Sequence, residues 1–293
     1  NSGTITAAGS GDISVSAGED FAGGTNQAGN ADGDVRMVDG LVIQSGSGLI
    51  TLEATRDVVL STVTTMGNVT VSADDDDFTL ADNVGSITEV LTGEAENISG
   101  MALDLAASTG IGTGATLDDA GDIDISGTTL SAVNSTSGTI NITELDSVAL
   151  ASISNPGRPV ILDAGGGFTD GNGADVLNIS SSTLEMRAVT GIGVGVANDA
   201  GDIDTTITGT FAGQTTSGDI HLHNVGGLTI GALTTLSGAQ ITGGAVGDDI
   251  TIRAASPMTV NSSVLNSGGG DITLASEGNT AADDLILAAD VTA

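Results

Sequence analysis

The side chains able to do chemistry in this 293-residue chain are mostly carboxylates: 30 Asp and 8 Glu stand against five Arg, two His, no Lys and no Cys. Asp122 with Asp124, and Asp202 with Asp204, are spaced so that on a β-strand each pair projects from one face, its members about 7 Å apart. Two carboxylates at that separation suit acid and base work on a glycosidic bond. The two pairs lie far apart in the chain, however, and no Arg, Tyr or Trp cluster accompanies either in the sequence. A solvated polar face is therefore the expected reading, and no catalytic residue is assigned. His221 and His223 alternate with Ile220 and Leu222, so both imidazoles point outward from one strand; two ligands are too few to hold a metal ion. They are the only histidines, which leaves a Ser-His-Asp triad unsupported.

Calcium is the ion that this composition favours, because an excess of Asp over Glu in Gly-rich turns supplies hard oxygen ligands. The segment Gly171-Asn172-Gly173-Ala174-Asp175-Val176-Leu177 matches half of the calcium-binding nonapeptide repeat, although it occurs once and such sites need consecutive copies. The candidate ligands are Asp32 with Asp34 in one turn, and Asp170, Asn172 and Asp175 in another; the alternative for each is an ordinary turn residue. No other cofactor is expected.

Charge and composition exclude several partners. A net charge of −33 with no Lys cannot neutralise a polyphosphate backbone, so nucleic acid and bare anionic membrane are poor partners. Four Phe are the only aromatics, which removes the stacking platforms that hold single-stranded bases. No run of about 18 apolar residues is available to insert into a bilayer. The opening residues also lack the charged and apolar regions of a signal peptide, so any leader lies outside this segment. Absence of Cys fits a protein that crosses compartments without forming wrong disulfides.

The elements that must position these groups are short strands. Ala, Val, Ile and Leu alternate with Thr, Ser, Asn and Asp, the pattern of strands with one buried face, while strong helix formers are scarce. A Gly-Asp-Ile signature recurs at Gly11, Gly121, Gly201, Gly218 and Gly270, and a variant Gly-Asp-Val at Gly33. Gly tolerates the sharp corner into each strand, and the short polar residue after it satisfies backbone groups. A longer repeat is superimposed. Asn97-Ile98-Ser99 recurs as Asn178-Ile179-Ser180, Thr109-Gly110-Ile111-Gly112 as Thr190-Gly191-Ile192-Gly193, and Ala120-Gly121-Asp122-Ile123-Asp124 as Ala200-Gly201-Asp202-Ile203-Asp204, at an offset of 80 or 81. The acidic run Asp74 to Asp77 is read as part of an insertion. This periodicity predicts an all-β parallel solenoid of about 20 to 30 residues per coil, with no helices of note. One continuous solenoid is expected over 1–293, containing a duplicated unit at about 97–177 and 178–257.

The succession of TGIG, AGDI and GTINI or GDIHL segments resembles the repeats of filamentous haemagglutinin-type large exoproteins, which are similar to autotransporter passengers. The resemblance covers nearly the whole chain. It implies a right-handed parallel β-helix, export by a type V or two-partner route, and a role in adhesion, biofilm or cell-surface structure. The expectation is a non-enzymatic extracellular rod or filament component of a bacterial surface, a segment of a longer chain or a filament subunit. Its partners would be other cells or surfaces, extracellular glycans or matrix, and further copies associated end to end or laterally. The alternatives are a polysaccharide-acting β-helix enzyme and a calcium-dependent binding module.

Overall fold

A computed structural model describes residues 3–18, 33–74, 84–91, 95–117, 120–194, 201–278 and 284–293. The described residues form strands and no helix, so none is long and apolar enough to cross a membrane. Their ladders are parallel, with partners one lap of the chain apart. This is the parallel β-solenoid that the alternation predicts. The chain divides into two compact units, one of residues 1–114 with 118–143 and the other of residues 115–117 with 144–293. The division at 143/144 falls inside the first copy of the long repeat.

In the first unit three rows of strands each stack an aliphatic column. Ile5, Ile43, Val63, Ile98 and Ile125 align in one row. Ile13, Ile50, Val69, Leu103 and Leu130 align in the second. Val35, Val58, Ile87, Ile111 and Ile140 form the third. Apart from the exposed first member Ile5, these side chains are buried. Parallel pairing requires a crossover, and a lap that returns each strand one register above its predecessor supplies it while burying one face. Each fully buried aliphatic side chain then contributes about 1.5–3 kcal/mol. The laps are unequal. Those from Ile50 to Val69 and from Leu103 to Leu130 are short, whereas those from Ile13 to Ile50 and from Val69 to Leu103 are longer. Asp74 lies early in the last of these with a left-handed φ of 68°, whereas Asp75, Asp76 and Asp77 lie outside the described residues.

The second unit repeats the principle with its own columns. Val148, Phe168, Ile192, Ile220, Ile250 and Ile272 follow one another up one row. Val160, Leu184, Phe211, Ile230, Val260 and Leu287 do so in another. Its laps vary as well, the one from Ile203 to Leu222 being much shorter than the one from Ile220 to Ile250. A small apolar cluster of Leu117, Ile161, Ala212 and Leu236 lies apart from these columns. It is pinned by buried Glu185, whose Oε1 accepts the backbone N–H groups of Thr235, at 2.7 Å, and Leu236.

The TGIG motif of the long repeat is a corner in both units. Gly112 and Gly193 adopt φ of 74° and 76°, and a Cβ on either would come within 2.5 Å of a backbone oxygen on the next lap, Asn141 O or His221 O. Only Gly accommodates both the left-handed conformation and that approach.

Candidate functional site: buried carboxylate pairs

The strand alternation that places Ile203 inward also places Asp202 and Asp204 together on the opposite side, and Ile123 does the same for Asp122 and Asp124. The expected solvated face is not what forms. Asp122 is 0% exposed, Asp124 9%, Asp202 6% and Asp204 4%. In the second unit the reason is plain: long side chains from later laps lie over the pair. His223 Nδ1 is 3.0 Å from Asp204 Oδ1, and Arg253, two laps on, donates from Nη2 to Asp202 Oδ2 at 2.8 Å. The register Asp204–His223–Arg253 stacks these groups in one row. Nothing in the sequence marks Arg253 as a partner, because it is so distant from Asp202 along the chain.

A buried Asn brackets each pair. Asn178 Oδ1 accepts the Asp204 N–H at 2.8 Å, while the Asn178 N–H donates to Asp204 O at 2.9 Å. Asn97 does the same with Asp124, at 2.8 and 2.9 Å. The recurring Asn-Ile-Ser triplet therefore marks a structural clamp, and its repetition was the one signal that could have revealed it. In the alignment of the two copies, His221 and His223 occupy the positions of Asn141 and Thr143. There Thr143 Oγ1 donates to Asp122 Oδ2.

Electrostatics distinguish the second pair. Burial, reinforced by the like charge of Asp204, pushes the Asp202 carboxyl up to about 6, against the pull of His223. Burial also raises Asp204, opposed by its hydrogen bond to His223, with the carboxylates of Asp175 and Asp170 adding to the rise. Asp202 Oδ1 and Asp204 Oδ2 are buried and accept no hydrogen bond from any described residue. His221 is not an exposed imidazole either; its side chain is 14% exposed and burial lowers its pKa. Its Nε2 stands 4.0 Å from Asp219 Oδ2.

The residues expected to bind calcium fall in two places. Asp34, in the first unit, is paired with Arg36, whose Nε donates to Oδ2 at 2.8 Å. Although what burial it has raises the Asp34 pKa, the bonds from Arg36 and from the Asp57 N–H outweigh it and hold the carboxyl below its usual value. Asp32 lies outside the described residues. In the second unit the 170–178 turn brings Asp170 and Asn172 together around Asn178, whose Nδ2 donates to Asp170 Oδ1 at 2.9 Å and Asn172 Oδ1 at 3.0 Å. Asp170 Oδ1 also takes the N–H groups of Asn172 and Gly173, so it works as a turn acceptor. Asp175, at φ 60°, shares the field of the Asp202 and Asp204 pair. Among the described residues no three His, Cys, Asp or Glu side chains are arranged to hold a metal ion.

Compared with protein-family models, curated proteins and solved structures, the chain finds no match in any of the three.

Proposed function

We propose that this protein is a non-enzymatic structural or adhesive component of a bacterial cell surface, secreted and extracellular. The observation that carries the reading is the fate of the acidic pairs. The groups best suited to acid–base chemistry are buried and clamped by Asn, His, Arg or Thr within each stack, where they brace neighbouring laps. A polysaccharide-acting enzyme would need such carboxylates open to substrate on an exposed strand face. Aliphatic columns, parallel ladders and an acidic, Lys-free surface make a soluble scaffold whose like charges keep copies apart at low ionic strength. Divalent cations would screen that repulsion and bring copies, cells or extracellular glycans into contact.

The test is to incubate the purified protein with a panel of acidic and neutral polysaccharides while imaging it by electron microscopy with and without millimolar calcium. Association into larger assemblies or onto glycan-coated surfaces, with polymer lengths unchanged, supports the scaffold. Depolymerisation that is lost in D204N overturns it in favour of an enzyme.

A further inference from the structure

The chain contains no Cys, Trp or Tyr, so its five methionines are its only sulfur atoms and its most readily oxidised side chains. They divide sharply. Met37, Met186 and Met258 are 3%, 0% and 0% exposed, filling the interior, whereas Met66 and Met101 are 73% and 53% exposed. These two meet at one corner of the first unit. Thr64 pairs with Ser99 on the next lap, and just beyond that pair Met101 donates its N–H to Gly67 O at 2.7 Å. Successive laps are about 4.8 Å apart, so the two residues sit on adjacent laps at this corner, each with its side chain exposed. An unbranched apolar side chain this exposed contributes little burial, and neither position belongs to an aliphatic column.

We propose that Met66 and Met101 form a sacrificial oxidation site that consumes peroxide-class oxidants before the buried methionines are reached. The sulfur lone pair attacks one peroxide oxygen and the O–O bond breaks. That oxygen becomes the sulfoxide oxygen, and the other leaves as water after proton transfer. Sulfur loses two electrons and hydrogen peroxide gains them. The product is polar, so at Met186 or Met258 it would disrupt the interior, whereas at this corner it points into solvent and the fold is retained. Oxidation also turns an apolar spot on the surface into a polar one, and a sulfoxide remains open to reductive repair.

Limited treatment of the folded protein with hydrogen peroxide, followed by intact-mass and peptide mapping, tests this. The expected result is two additions of about 16 Da each, located at Met66 and Met101, at least tenfold faster than at Met37, Met186 and Met258. The oxidised protein should keep its circular dichroism and urea midpoint, and an M66L/M101L variant should take up no oxygen in the same interval. Oxidation spread evenly over all five methionines, or a loss of folded structure when only Met66 and Met101 are oxidised, would overturn the proposal.

Discussion

Replacing Asp202 by Asn removes a buried charge while keeping the side-chain shape, and the consequence depends on pH. The folded carboxyl titrates at about 6 against an ordinary 3.8. Because the folded value is the higher one, the folded protein binds more protons than the unfolded chain between those two values. Stability therefore falls as pH rises through that window, and above it the ionised group burdens the fold by at most about 3 kcal/mol, at about 1.36 kcal/mol per unit. Arg253, at 2.8 Å from Oδ2, is the partner that limits this penalty, and in the variant it loses a charged acceptor. All 38 acidic groups contribute a background slope, since the chain carries a net charge of −33, but that background is common to both proteins. Urea denaturation at pH 4, 5, 6 and 7.5 should thus show the D202N protein gaining on the wild type by about 1–3 kcal/mol between the lowest and highest pH. Most of the gain should fall between pH 4 and 6. Stability curves that stay parallel across this range would refute the assignment of a raised carboxyl to Asp202.

Two further outcomes follow from the same geometry. Asn178→Ala removes the acceptor of the Asp204 N–H, leaving that buried donor unsatisfied, and takes one of three donors from Asp170 Oδ1; a loss of about 1–3 kcal/mol in urea midpoint experiments is expected, and an unchanged midpoint would remove the clamp from the explanation. Gly193→Ala forces a Cβ to 2.5 Å from His221 O at φ 76°; the expected loss is about 1–3 kcal/mol or more, detected as a lower thermal midpoint, and a variant as stable as wild type would contradict the corner as described.

The solenoid was legible because its cause is periodic: alternation sets the inward face, and the Gly-led corners set the lap, as in Gly218-Asp219-Ile220 followed by Leu222. That Ile220 and Ile250 face inward follows from that alone, while their stacking in one column is seen in the register. The environment of the acidic pairs was not legible. Alternation says which side of a strand Asp202 occupies, but what covers that side comes from His223 and Arg253. Their vertical alignment depends on two laps of different length, Asp204 to His223 and His223 to Arg253. Unequal laps cannot be phased from a single sequence, so an outward face was expected to be wet and proved to be roofed. The Asn-Ile-Ser triplets were visible as repeats, yet their purpose appears only when Asn178 is seen to reach the backbone of the following lap.

The parallel stacking of laps is open to a direct test because the chain has no cysteine to interfere. Thr229 and Thr259 are paired in register on successive laps, a separation of about 4.8 Å that lies within the Cα range of a disulfide. A T229C/T259C variant should form an intramolecular disulfide rapidly under mild oxidation and unfold at a higher urea concentration than its reduced form. A T229C/T273C variant, whose positions belong to different rows, should remain reduced. Efficient crosslinking in the second variant and none in the first would contradict the stack.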